Sequence, residues 1–323
     1  MKKRLFIPIL ILAAATCLSA QEKRWYKGNT HCHTLNSDGD EYPRRVIRWY
    51  RDHGYNFVTI SDHNHITEVQ YLDSDDKDDF ILIQSEEVSD SYQGSPVHLN
   101  AHNISSLVEP QHGESIAETL QNNIDAIREA GAVPQINHPN WKWSFTDVEM
   151  SQLTGVLLFE LYNICYDCNN FSAGGRPGME DIWDKVLSRG VLMYGVASDD
   201  AHDYVGEFHP KKSNPGTGWI MVRATSLTPQ AVMTAMEEGD FYATVGVVLK
   251  DIRITEKEYR VEIEPFRDNT YTTSFIGKDG KILKETYDTT ANYTFKGDEL
   301  YVRARIFESS GKFACTQPVF LEK

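Results

Sequence analysis

Positive charge is scarce in this chain of 323 residues. Lys and Arg total 32 against 47 Asp and Glu, a formal charge of −15. No Lys/Arg-rich block stands out, and a binder that relies on displacing counterions from a nucleic-acid backbone would carry one. A nucleic-acid partner is therefore not expected. Long apolar runs are lacking as well. The only marked one, Leu5 to Ala15, falls short of the roughly 20 residues that a bilayer span needs. Cysteine is sparse, at 5 residues. The single C-x-x-C, Cys165 and Cys168, has no second copy with which to close a four-ligand zinc site. Its flanks, Tyr162-Asn163 and Asn169-Asn170, read as loop, whereas a thioredoxin-like redox motif sits at a helix start. A loop disulfide or free thiols is the simpler reading. Solenoid repeats and low-complexity tracts are absent.

What is present begins with a targeting pattern. Lys2, Lys3 and Arg4 precede the apolar run, and small residues end at Ala20. This is the layout of a secretory signal cut after Ala20, which predicts a periplasmic or secreted mature chain of bacterial type with no transmembrane segment. Cys17 leaves a lipoprotein reading open, but Thr16 before it is a poor match to the usual small residue.

Apolar patterning then alternates between short β-rich runs and helical stretches. Asn56–Ile60, Phe80–Gln84, Val97–Ala101, Val133–Ile136, Val156–Tyr162 and Val191–Val196 read as strands. Ser115–Ala130 places Ile116, Leu120, Ile124 and Ile127 on one helical face. Asp181–Arg189 and a segment opened by Thr228-Pro229 read as further helices. The alternation predicts an α/β fold on parallel strands. After about Lys250 helical periodicity stops. Ile252–Ile263, Tyr271–Ile276, Asn292–Phe295 and Leu300–Phe307 predict a small all-β region. The expected organisation is a signal segment over 1–20, an α/β domain over 21–247 and a β-rich domain over 248–323.

Histidines and acids fall at the ends of these strands. Thr30-His31-Cys32-His33-Thr34 is followed by Asp38-Gly39. Ser61-Asp62-His63-Asn64-His65 ends one strand, and Glu86-Glu87 follows another. His98 and His102 lie together; Asn137-His138-Pro139 and Asp199-Asp200-Ala201-His202 close two more. Each motif alone has a bland reading as turn, cap or rigid corner. Together they deliver imidazole or carboxylate at successive strand ends, which in a parallel barrel share one face. Such donors suit Zn, Mn or Fe, and their number suits two or three divalent ions rather than one. His53, His112 and His209 read as surface or loop histidines.

This ordered set resembles the PHP superfamily (polymerase and histidinol phosphatase) over roughly residues 25–247. The segments from Gly216 to Trp219 and from Gly239 to Thr244, with the tail from Tyr301 to Phe320, resemble its exported, carbaryl-hydrolase-like branch of metal-dependent phosphoesterases. The resemblance implies a distorted (β/α)7 barrel with a small C-terminal all-β extension and a trinuclear site. His31, His33 and Asp200 would hold the first ion. Glu87 would bridge to a second ion held by His98 and His138, and Asp38, His63 and His202 would hold the third. Glu86 stays open as the bridge because Ser85 replaces the usual Gly, and His102 stays open against His98. Asp62 and Asp199 would orient ligands. The implied activity is hydrolysis of a small phosphate mono- or diester by a hydroxide between metals. His65 would protonate the leaving group and Arg176 would bind an anionic part of the substrate. Two alternatives remain: a metal-dependent hydrolase of a carboxylic ester, carbamate or amide, and a non-catalytic binding protein of the cell envelope.

Overall fold

The computed structural model describes residues 22–72 and 79–321. The apolar start, Cys17 and the expected cleavage point after Ala20 lie outside those residues. Strand β1 (Arg24–Asn29), helix α1 (Pro43–Asp52), β2 (Phe57–Ile60), β3 (Ile81–Tyr92), β4 (Ser95–His102), α2 (Ile116–Glu129), β5 (Val133–Ile136), α3 (Asp147–Met150), β6 (Leu158–Asn163), α4 (Met179–Ser188) and β7 (Tyr194–Ser198) follow in order. Then come β8 (Trp219–Ala224), α5 (Pro229–Glu237) and β9 (Phe241–Thr244). Helix boundaries follow local chemistry. The Ser115 side chain accepts the Glu118 N–H at the start of α2, and Gly131, at φ +77°, ends it. Thr228 caps α5, with Pro229 at its first position. The face of α2 expected to be apolar does bury Leu120, Ile124 and Ile127.

Strands β1 to β7 form one continuous ladder in chain order. β1, β2 and β3 are parallel, β3–β4 and β4–β5 are antiparallel, and β5, β6 and β7 are parallel again. The fold is mixed α/β, as expected, but the expected (β/α)7 barrel does not close as a ladder. β8 lies antiparallel along the second edge of β1. A strand has two edges, so none is left for β7. The gap is crossed by one parallel bridge beyond the strand ends, Cys32 to Ala201. It is made by His33 N–H to Ala201 O at 2.9 Å and Asp200 N–H to His31 O at 3.1 Å. Higher on β7, the Gln317 side chain stands in for a partner strand. Its amide accepts from Gly195 N–H at 2.8 Å and donates to Gly195 O at 2.9 Å.

A second departure lies in β3. The sequence pattern ends that strand at Gln84, yet it runs on to Tyr92 and turns into β4 through Gln93 and Gly94, at φ +49° and +84°. Two consecutive positive φ values are the signature of a tight hairpin. Glu86 and Glu87 therefore sit inside a strand, on opposite faces.

Beyond Lys250 the described chain is β-rich: β10 (Leu249–Ile254), β11 (Glu258–Ile263), β12 (Tyr271–Gly277), β13 (Lys281–Thr286), β14 (Thr290–Thr294), β15 (Tyr301–Glu308), β16 (Phe313–Thr316) and β17 (Val319–Phe320). The run Ile252–Ile263 is broken into two strands around Glu256, and β13, β16 and β17 were not anticipated. β16 pairs antiparallel with β9, so these strands extend the main sheet in the order β13-β12-β15-β16-β9, while β10, β11 and β14 form a second sheet. Tyr259, Val261, Phe275, Tyr293 and Ile306 form a buried core here. Arg303, 1% exposed, ties β15 to α4. Its guanidinium meets Asp184 through two bonds of 2.8 and 2.6 Å and Glu180 through one of 3.0 Å, and it stacks over Trp183.

Candidate metal centre

The site grows from the ends of β1, β2, β5 and β7 and from the paired strands β3 and β4. Past β1 the backbone stays extended. Alternation turns His31 and His33 to one side and sends Cys32 into the apolar cluster of Val46, Ile47 and Tyr50 on the other. His63 follows β2, His138 follows β5, and Asp200 and His202 follow β7. His138 and Asp200 sit at φ +27° and +46°, a region that residues with a Cβ seldom occupy. Hydrogen bonds hold both there. His138 N–H donates to Glu160 Oε2 at 2.8 Å, and Asp200 N–H donates to His31 O.

Donor atoms converge on Glu87, which is fully buried. Its Oε1 lies 3.1 Å from His138 Nε2, 3.2 Å from His98 Nδ1 and 3.4 Å from His31 Nε2. Its Oε2 lies 2.7 Å from His63 Nδ1 and 3.6 Å from His33 Nε2, in no hydrogen-bonding alignment. His31 Nε2 and His33 Nε2 face each other at 3.1 Å, and each is 3.1 Å from Asp200 Oδ1. Asp38 closes the outer end, 3.4 Å from His63 Nε2, 3.3 Å from His202 Nε2 and 3.6 Å from His33 Nδ1. All nine side chains singled out in the sequence are thus within one constellation. Glu87 rather than Glu86 enters it. Glu86 points to the other face and accepts from Val108 N–H at 2.6 Å. His98 rather than His102 enters it, since His102 is buried against Ser85 and Gln135.

The donor chemistry fits divalent ions. Ligands about 2.1 Å from a tetrahedral ion stand about 3.4 Å apart, which the spacings around Glu87 and Asp200 approach. Two imidazole nitrogens facing each other beside a buried carboxylate, and a carboxylate oxygen that takes no hydrogen bond, are lone pairs gathered around an unfilled need. The buried carboxylates draw positive charge into the cluster. Burial, then repulsion from His202, brings His33 down to about 4, leaving a neutral ring able to ligate. Burial also opposes charge on His63 and His202. The Glu87 and Asp38 carboxylates nevertheless hold His63 up to about 10, and Asp38 and Asp200 hold His202 up to about 9. Burial works against Glu87 too, yet the surrounding imidazoles keep it well below the usual carboxylate range.

No family model matches the chain, and neither does any curated protein. Solved structures similar to it include the following two. One is a two-domain protein from Bacteroides vulgatus containing a predicted PHP-like metal-dependent phosphoesterase, at 16% identity and a TM-score of 0.49, covering 88% of this chain and 90% of that one. The other is an amidohydrolase from Chromobacterium violaceum with bound sulfate, at 14% identity and a TM-score of 0.40, covering 58% and 93%.

Glu160 was not singled out in the sequence, yet it organises the site. It is 1% exposed on β6. Its Oε1 is 2.7 Å from His31 Nδ1 and 2.5 Å from Ser198 Oγ; its Oε2 takes the His138 N–H and Asn163 Nδ2. A carboxylate on Nδ1 directs the other nitrogen of that ring, Nε2, toward the cluster as an acceptor. Asn163 also donates to Asp200 Oδ2 at 2.9 Å, and Asn137 donates to Glu87 Oε1 at 2.9 Å. The available signal was a lone acid in the apolar run Leu157-Leu158-Phe159-Glu160-Leu161, since a buried charge requires a partner.

Other expected residues lie elsewhere. Asp62 binds Thr34, Ser37 and Thr67, and Asp199 takes the N–H groups of Gly216, Thr217 and Gly218. Both fix loops, and Asp62 also reaches the His33 ring through Ser37 Oγ, which lies 3.3 Å from His33 Nδ1. His65 is exposed and outside the walls of the cavity above the cluster. Arg176 is exposed and stacks on Trp143, with its guanidinium carbon 4.8 Å from the ring centre, beside a different cleft. The cavity itself measures about 280 Å³. Trp141, Tyr166, Cys165 and Asp167 form part of its wall, and among the described residues no Lys or Arg lines it.

Proposed function

We propose that this chain is a metal-dependent hydrolase of the PHP superfamily that cleaves a small phosphate mono- or diester. One observation carries the reading: nine imidazole and carboxylate side chains from separate segments bring their donor atoms to ligand spacing beneath one cavity. In this reading His31, His33 and Asp200 hold one ion. Glu87 bridges to another held by His98 and His138, and Asp38, His63 and His202 hold a third. Residues 21–247 form the hydrolase domain and 248–323 the β-rich one. Bound divalent ions supply Lewis-acid polarisation of a phosphoryl oxygen and activation of water near neutral pH.

The chain's own residues do the rest. Glu160 fixes the His31 tautomer, and Asn163 and Asn137 steady the carboxylates of Asp200 and Glu87. Among the described residues the cavity wall carries no Lys or Arg, so in this reading a substrate's negative charge would be met by the ions. His65 and Arg176 are set back from the cavity, so in this reading neither meets the leaving group or a distal anion of the substrate.

The same wall favours a second reading. An uncharged carboxylic ester or amide needs no cationic side chain, and Trp141 and Tyr166 offer it apolar surface. Turnover of p-nitrophenyl phosphate and bis-p-nitrophenyl phosphate against p-nitrophenyl acetate, after loading with Mn, Zn or Fe, decides between them. Phosphoester cleavage that chelator abolishes is the expected result. Acetate cleavage alone supports the second reading, and no turnover with any loaded metal overturns both.

A further inference from the structure

The loop after β6 brings two thiols to the edge of the cluster. Cys168 N–H donates to Cys165 O at 3.2 Å, a tight turn that draws both side chains to one side. One donor atom each from Cys165, Cys168 and Asp200 lie within 4.8 Å of one another. Both thiols line the cavity, and both are free. Cys165 Sγ is 2.8 Å from Ser213 Oγ and 3.1 Å from Asp167 Oδ1, so further oxygen donors stand beside it. Asp200 has a second oxygen to offer. Its Oδ1 faces His31 and His33, while its Oδ2 meets only the Asn163 amide among the contacts described.

The geometry points to an additional metal position at the cavity wall, held by Cys165, Cys168 and Asp200 and selective for thiophilic divalent ions such as Zn2+, Cd2+ or Co2+. Two thiolates about 2.3 Å from one ion stand about 3.8 Å apart, within the spread seen here. The remaining donors of the centre are imidazole and carboxylate, which suit harder ions equally well. Only this position adds sulfur, and sulfur selects soft metals. Three protein donors leave a coordination place open toward the cavity. Asp200 would join this ion to the one at His31 and His33. A thiophilic metal in excess therefore fills this wall position, which Mg2+ or Mn2+ does not. The assignment goes beyond the hydrolase reading and needs no turnover to be tested.

The test uses the full chain, stripped with chelator and kept reduced with a phosphine. Titration with Co2+ is expected to raise a thiolate-to-cobalt charge-transfer band in the near ultraviolet. Cys165→Ala and Cys168→Ala should each lose that band and retain one ion fewer per chain after desalting. Alkylation of the wild type, mapped by mass spectrometry, gives a readout that requires no variant to fold. Co2+ or Zn2+ should slow modification of Cys165 and Cys168 at least about tenfold, and Mg2+ should not. A wild type without the band, a band of undiminished strength in the variants, or unprotected thiols would overturn the assignment. A change in metal content in His33→Ala alone would instead bear on the hydrolase centre.

Discussion

Glu87 and Glu160 illustrate how differently two buried acids serve one site. Glu87 sits among five imidazoles and supplies both oxygens to the cluster. Glu160 reaches the cluster only through His31, the His138 N–H and Asn163. Replacing each should separate these roles. Glu87→Gln is expected to lower bound metal and activity together, as are His33→Ala and Asp200→Ala; unchanged metal content and turnover would remove that ligand from the set. Glu160→Gln keeps the shape but loosens the tautomer of His31, so metal affinity should fall about 10–100-fold, the usual effect of removing a partner of a ligand. Metal analysis after dialysis against graded chelator measures it. The pair Glu86-Glu87 was legible as acids just past a strand, and it was the resemblance that favoured Glu87. Glu160 was legible only as an isolated acid in an apolar strand, a pattern that says a partner is needed without saying which.

At the scale of elements, the contact between α4 and β15 rests on charge in a buried setting. Arg303→Ala leaves Asp184 and Glu180 without their shared cation. Removing one partner of a buried pair costs about 3–5 kcal/mol, because the other charge is left uncompensated. Urea unfolding should show the midpoint shift. The same contact gives a pH dependence. Burial alone would raise Glu180, but Arg303 and Arg305 hold its carboxyl below the usual value. A lowered folded-state pKa means that the unfolded chain binds the proton more readily. The stabilisation is therefore present above the unfolded carboxylate value near 4.5 and is lost as pH falls through the folded one. Urea midpoints measured from pH 6 to pH 3 should fall less steeply in Glu180→Gln than in the wild type. The sequence marked Asp181–Arg189 as a helix and Leu300–Phe307 as a strand from their periodicity, but periodicity carries no information about which elements meet.

For the molecule as a whole, metal and fold should be coupled. Nine convergent donors, several of them like-charged or facing lone pairs, repel one another until ions fill the centre. Loading at about 100 times the dissociation constant should add about 2.7 kcal/mol of stability, and chelator should reverse it. A thermal midpoint that rises with added Zn or Mn and returns with chelator is the expected result; an unmoved midpoint counts against metal binding at this centre.

Local chemistry gathered imidazoles and carboxylates at strand ends and marked helices α2, α4 and α5 and strands β2 to β7. Alternation placed His31 and His33 on one side, and the caps at Ser115 and Thr228 marked helix starts, because those effects act over a few residues. Three things waited on tertiary structure. β8 takes the second edge of β1, which keeps the ladder open, and edge occupancy is decided by strands far apart in the chain. β3 continues into a hairpin, and its register turns Glu87 inward and Glu86 outward. His65 and Arg176 stand away from the cavity, because distance in space from a site is set by how loops are packed and not by how near their residues are in sequence to its ligands.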